Sequence, residues 1–204
     1  MARTKSRFVC QECGYVASSW LGRCPECGGW NTLVEEAEVT AKTSKSYLPT
    51  NNEKLRPRTI ASVAQTKVER LATGIREFDR VLGGGVVPGS LVLLGGTPGI
   101  GKSTILLDAG LRFGQRGIKV LYVSGEESEE QTAMRAVRLG GAQANDNLLI
   151  LTATDLDAIL LQANALKPQL LIIDSIQTMY NPELQTAAGS VGQVRECTAK
   201  LLQF

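Results

Sequence analysis

The chain has 204 residues, 43 % of them hydrophobic, which is enough for one α/β domain and a small additional module. Its formal net charge of +2 supplies no global field for nucleic acid, so any such contact has to come from local patches. No apolar run is long enough to span a bilayer and the first residues lead into no signal-peptide core, so a cytoplasmic location away from the membrane is expected. Five cysteines without an export signal point to thiols or metal ligands rather than disulfides, and with no histidine a metal site must use thiolates or carboxylates.

Cys10-x-x-Cys13 and Cys24-x-x-Cys27 form two knuckles separated by ten residues. Two such pairs place four thiolates around a tetrahedral ion, which suits Zn²⁺; a redox dithiol pair and an iron–sulfur cluster are the alternatives. Four protein ligands leave no open position, so the zinc is structural. Glycine follows each knuckle (Gly14, then Gly28 and Gly29), where the backbone must turn under the metal. Phe8, Tyr15, Val16, Trp20 and Trp30 are the expected packing residues of this module, assigned to residues 1–34. So short a module buries too little to fold alone, and the metal supplies its folding free energy. Residues 35–64, with few large apolar side chains and many Lys, Thr, Ser and Asn, have the composition of a flexible linker.

The third segment, residues 65–204, opens with spaced apolar residues from Leu71 to Leu82 that stop at Gly83-Gly84-Gly85, a short helix with a glycine stop. Val86 to Ser90 is a turn into an apolar run, Leu91-Val92-Leu93-Leu94, expected as a strand. Gly96, Thr97, Pro98, Gly99, Ile100, Gly101, Lys102, Ser103 and Thr104 follow and lead into another apolar run. The frame G-x-x-x-x-G-K-S between strand and helix is the P-loop signature. Its glycines let successive N–H groups face one concavity, and the positive end of the next helix points to the same place. Lys102 reaches the terminal phosphates of ATP, and the Ser103 hydroxyl ligates Mg²⁺.

Strand and helix then alternate. Ile118–Val123 reads as a strand, Ser128-Glu129-Glu130-Gln131 as a capping box opening a helix that stops at Gly140-Gly141, and Leu148–Leu151 as a strand. Thr154 or Asp155 caps a helix with Leu156, Ile159, Leu160, Ala163 and Leu166 on one side, and Leu170–Ile173 is the next strand. Near-continuous apolar strands in repeated units predict an α/β fold with a mostly parallel sheet covered on both faces. Ser190-x-x-Gln193 is a second capping box, starting the last helix. With four predicted strands, the sheet looks incomplete.

Ligands of open α/β sheets sit beyond the carboxyl ends of the strands, and two acidic groups arise there. Asp174 ends an apolar strand in the Walker B manner and is assigned to the Mg²⁺ shell with Ser103. Glu126 and Glu127 follow the second strand; Glu126 is preferred as the carboxylate that activates the attacking water, with Glu127 as support, although both suit a helix N-terminus. Lys102 and Glu126 are thus the catalytic candidates. Cys197 suits the core, Arg195 and Lys200 a solvated face, while Gln177 and Thr178 are weaker candidates for sensing phosphate. Tyr180 to Gly192 is long for a connection in a compact domain.

Together, F-V-C-Q-E-C-G-Y, G-R-C-P-E-C-G-G-W-N, L-A-T-G-I-R-E-F-D-R-V-L-G-G-G, G-G-T-P-G-I-G-K-S-T, Y-V-S-G-E-E-S and L-L-I-I-D-S-I-Q-T closely resemble the bacterial RadA (Sms) family of RecA-like DNA repair and recombination ATPases. The resemblance implies a RecA-like P-loop fold preceded by a zinc ribbon, assembly as a homo-oligomeric ring, binding of single-stranded DNA and branch migration of recombination intermediates. It also implies partners such as a RecA-type recombinase or a replicative helicase. It places a DNA-contacting loop at Asn181–Gly192 and the catalytic glutamate at Glu126. Members of the family continue through further core strands, a K-N-R-F-G motif and a Lon-protease-like domain, so this chain is expected to be an amino-terminal fragment. The alternative is a RecA-like ATPase of the clock-protein or helicase-loader type that acts on protein partners and uses the zinc module as a docking surface.

Overall fold

The computed structural model describes residues 6–37, 57, 59–64, 69–141, 146–184 and 186–204. These fall into two compact units: residues up to 37 together with those from 103 onward, and those between 57 and 102.

In the first unit, β1 (Ser6–Cys10), β2 (Val16–Ala17) and β3 (Leu33–Ala37) form a small antiparallel sheet in the order β2-β1-β3. Pairing of Phe8 with Ala17 and of Cys10 with Leu33 sets the register. Cys10, Ala17, Cys24 and Leu33 form its interior, with Phe8 and Tyr15 packed against them. Trp20, Trp30 and Val16, expected inside, are 56 %, 70 % and 47 % exposed. A sheet this small encloses only the side chains beside the sulfurs, so the indoles remain outside; Trp30 instead lies under the Arg23 guanidinium at 5.8 Å. Of the linker read over 35–64, residues 38–56 and 58 lie outside the described ones. Its two ends are ordered elements: β3 runs to Ala37, paired with Ser6, and α1 covers Ile60–Ala64.

In the second unit, α2 spans Arg76–Val81, shorter than the helix expected over 71–82. Asp79 explains the late start: its carboxylate accepts from the N–H groups of Thr73 (2.6 Å) and Gly74 (3.0 Å), folding the preceding chain into a turn. Leu71 in turn exchanges two backbone hydrogen bonds with Val86. Leu91–Leu94, expected as the first strand of the sheet, forms no strand, and Leu91, Val92 and Leu93 are exposed. An apolar run becomes a strand only when a neighbour satisfies its N–H and C=O groups, and none of the described strands pairs with it.

The main sheet belongs to the first unit and has three parallel strands in the order β5-β4-β6: β4 (Val120–Ser124), β5 (Leu148–Thr152) and β6 (Leu170–Asp174). The central strand is buried along its whole length, as its largely apolar sequence requires. Around the sheet run α3 (Lys102–Gln115), α4 (Glu129–Arg138), α5 (Leu156–Leu166) and α6 (Val191–Gln203). Side chains alternate across a strand, and the two faces hold different helices. Leu121 and Val123 share a core with Leu156, Ile159 and Ala163 of α5, Cys197 of α6, and Met179. The opposite face, carrying Val120, Leu148 and Ile172, receives α3 at Gly110, where a Cβ would lie 3.4 Å from both Leu148 and Ile172. Each large side chain buried this way stabilises by about 1.5–3 kcal/mol.

The helix ends follow their sequence signals. Ser128 and Gln131 form the reciprocal capping box of α4, and Asp155 caps α5 through the N–H groups of Asp157 and Ala158. At α6 only half of the expected box forms. The Ser190 hydroxyl accepts from the Gln193 N–H, but the Gln193 amide is turned into the protein.

Candidate active site

Register brings Thr152, Ser124 and Asp174 side by side at the carboxyl edge of the sheet. Asp174 is the centre of this edge. Its Oδ1 accepts from the Ser103 hydroxyl at 2.9 Å, and its Oδ2 accepts from the Tyr122 phenol at 2.5 Å. The pairing has a simple origin. Asp174 lies two residues beyond Ile172, the partner of Tyr122, and so on the same face one diagonal step away, within reach of a tyrosine ring. That face is also the one α3 covers, and Ser103 is in the first turn of α3.

The chain leaving β4 turns sharply. Ser124 Oγ donates to the carbonyl of Glu127 (2.9 Å) and accepts from its N–H (3.0 Å). Gly125 donates to the Asp174 carbonyl at 2.9 Å, and a side chain there would run into Thr178 and Met179. This close approach sets Glu126 beside the residue after Asp174: Ser175 Oγ donates to Glu126 Oε1 at 3.0 Å. Glu127 points elsewhere, into an ion pair with Arg135 of α4. The two adjacent glutamates therefore have different partners.

In the P-loop, Gly99 and Gly101 have φ of 78° and 99°, the left-handed region that favours glycine. Lys102 Nζ donates to the carbonyls of Gly96 (2.8 Å) and Thr97 (2.9 Å), so the ammonium is folded over the loop. The first N–H groups of α3 have no acceptor within the helix, and no acidic residue occupies its first turn. That donor set fits a phosphate. Ser103 and Asp174 present hard oxygens of the kind Mg²⁺ takes.

The four knuckle cysteines bring their Sγ atoms within 4.8 Å of one another. Pairs stand at 3.6 Å (Cys10–Cys27) and 3.5 Å (Cys13–Cys24), near the roughly 3.8 Å edge of a tetrahedron with 2.3 Å metal–sulfur bonds. The knuckles repeat one geometry. Gly14 N–H donates to Cys10 O and Gly28 N–H to Cys24 O, both at 2.9 Å, with φ of 76° and 73° at the glycines. As bare thiols the sulfurs are mismatched. Thr32, 3.2 Å from Cys10, pulls that thiol down to about 6. The Gly29 N–H favours the Cys27 thiolate, yet burial and the neighbouring sulfurs outweigh it and push Cys27 up to about 12. Four sulfurs at near-tetrahedral spacing are the soft donor set that a divalent zinc ion takes, so the site fits the metal.

The remaining candidates separate. Cys197 is fully buried, and burial pushes its thiol up. Thr178 donates to the Ser175 carbonyl at 2.8 Å, holding the turn after β6, while Gln177 is exposed. Arg195 is exposed beside Glu196, but Lys200 is not simply solvated: it donates to Asp157 and Asn181 and pairs with Glu183 at 3.3 Å. The stretch Asn181–Gly192 contains no lysine or arginine. Gln193 organises it, accepting from the buried Asn181 N–H (2.8 Å) and donating to the carbonyls of Asn181 (3.3 Å) and Thr186 (2.9 Å). Sequence reasoning passed over Tyr122, Arg135, Ser175 and the amide of Gln193. The one signal for Tyr122 is a hydroxyl inside an otherwise apolar strand.

Residues 52–204 match a family described as an AAA domain, and residues 8–35 match a rubredoxin metal binding domain. The chain belongs to the AAA-domain family of P-loop ATPases and carries a four-cysteine zinc ribbon ahead of that domain. Along its whole length it is similar to DNA repair proteins named RadA: 49 % identical to that of Halalkalibacterium halodurans, and 46 % identical to those of Bacillus subtilis and Listeria monocytogenes. The chain spans 44 % of the length of each of these curated relatives. Among the described residues no helix is long and apolar enough to cross a membrane.

Proposed function

We propose that this chain is the ATP-hydrolysing part of a cytoplasmic DNA repair ATPase that binds single-stranded DNA and promotes branch migration of recombination intermediates. The observation that carries the site is the Ser103–Asp174 hydrogen bond, which joins the first turn of α3 to the end of β6. In this reading residues 1–34 are the zinc module, 35–64 the linker and 65–204 the ATPase portion, which works in a homo-oligomeric ring. DNA repair, as the named task of the relatives, supports the choice of DNA as effector. A RecA-type recombinase or a replicative helicase is the class of protein partner proposed.

The backbone N–H groups of the P-loop, Pro98 excepted, cradle the phosphates, and Lys102 exchanges the Gly96 and Thr97 carbonyls for phosphate oxygens. Ser103 and Asp174 would hold Mg²⁺, which would supply positive charge to offset that of the phosphates. Glu126, whose carboxylate accepts from the Ser175 hydroxyl, takes a proton from the water that attacks the γ-phosphate. Glu127 holds the turn through Arg135.

A second function, an ATPase acting on protein partners through its ribbon, is favoured by the exposure of Trp20 and Trp30. ATP hydrolysis by this chain, measured with and without single-stranded DNA, separates the two. A salt-sensitive rise with DNA supports the DNA-dependent motor, since phosphate contacts release counterions. Hydrolysis indifferent to DNA supports the protein-directed function and overturns the first.

A further inference from the structure

Tyr122 is 1 % exposed in the middle of the central strand, and its hydroxyl reaches Asp174 rather than water. A carboxylate rotates about a soft, roughly twofold torsion, so one hydrogen bond leaves its plane free to swing. Asp174 has two, on different oxygens: Ser103 at Oδ1 and Tyr122 at Oδ2. The Ser103 contact is the one that must rearrange when a cation enters. The Tyr122 contact comes from a buried side chain and can persist through the cycle.

We propose that Tyr122 is a positioning residue of the magnesium site, holding Asp174 Oδ2 so that Oδ1 stays presented to Ser103 and its cation. The inference rests on the assignment of Asp174 to the Mg²⁺ shell. Tyr122 touches neither nucleotide nor metal; it acts through Asp174, as partners outside the ligand set do elsewhere.

The test is ADP binding to the chain, followed by calorimetry across a range of Mg²⁺ concentrations and again in EDTA, with melting temperatures of the ligand-free proteins. Tyr122→Phe keeps the buried ring and removes only the hydroxyl. It raises the Mg²⁺ concentration for half-maximal enhancement of binding about tenfold, the usual loss when an outer partner of a metal ligand is removed. Metal-free ADP binding stays unchanged, which a general loosening of the fold would not allow. Asp174→Asn removes most of the Mg²⁺ enhancement, and adding Tyr122→Phe to it has no further effect. If Asp174→Asn leaves the Mg²⁺ dependence intact, the magnesium assignment itself falls. If Asp174→Asn abolishes the dependence while Tyr122→Phe leaves it unchanged, or if the two effects add, the assignment stands and the positioning role is overturned. A parallel loss of metal-free binding in Tyr122→Phe also overturns it.

Discussion

Ser175 Oγ donates to Glu126 Oε1 across 3.0 Å, joining the residue after β6 to the turn after β4, while the adjacent Glu127 is held by Arg135. Two neighbouring carboxylates of identical chemistry thus have different partners because of where their side chains land.

That division predicts different outcomes for the two isosteric changes. Glu126→Gln retains ATP binding and lowers single-turnover hydrolysis by about 10²–10⁴-fold, the range for loss of a general base. Glu127→Gln leaves hydrolysis close to the starting value and lowers stability slightly, by about 1 kcal/mol or less for a partly exposed pair. Loss of hydrolysis in Glu127→Gln alone would reverse the roles.

Lys102→Ala removes the ammonium that bridges the Gly96 and Thr97 carbonyls and that the proposed function assigns to phosphate binding. ATP affinity measured by calorimetry should fall by about 10²-fold, as when one partner of a buried charged contact is truncated. Undiminished binding would remove the P-loop assignment.

Cys10→Ser or Cys27→Ser leaves three sulfurs for a site that needs four. Zinc content, measured by atomic emission, should drop from about one ion per chain towards zero. Tryptophan fluorescence reports on the ribbon alone, because both tryptophans, Trp20 and Trp30, belong to it. Its emission should shift as the ribbon unfolds while far-UV dichroism of the α/β part persists. An intact protein that holds no metal at all contradicts the site.

Gln193→Leu strips the buried Asn181 N–H of its acceptor and two carbonyls of their donor. Stability should fall by about 2–3 kcal/mol, the cost of leaving buried polar groups unsatisfied. Denaturant unfolding measures the loss, and limited proteolysis should find a new cut between Asn181 and Thr186. A variant as stable and as protease-resistant as the parent would show that the amide is not what orders this stretch.

Much of the architecture was legible in the chain because it depends on local rules. Four cysteines in two knuckles need only turn geometry to converge, and the P-loop's glycines at 99 and 101 require φ values that few other residues adopt. Strands β4, β5 and β6 came from apolar runs between capped helices, and the capping box at Ser128 formed as written. Errors arose where a local pattern needed a distant partner. Leu91–Leu94 has strand composition but no ladder, and α2 starts late because the Asp79 carboxylate binds backbone upstream of it. Trp20 and Trp30 have core chemistry but meet a sheet too small to enclose them.

By itself the sequence determined the identity of the chemical groups: a phosphate-binding loop, a strand-end acid at Asp174, a pair of glutamates and a tetrathiolate cluster. Each is a property of residue type and spacing along one short segment. Tertiary structure alone decided which groups meet: Ser103 with Asp174, Tyr122 with the other oxygen of that carboxylate, Ser175 with Glu126 and Arg135 with Glu127. Those contacts depend on strand order, register and the face α3 covers, none of which is written in any single segment. A parallel sheet brings together side chains tens of residues apart, and periodicity within one strand carries no information about its neighbour.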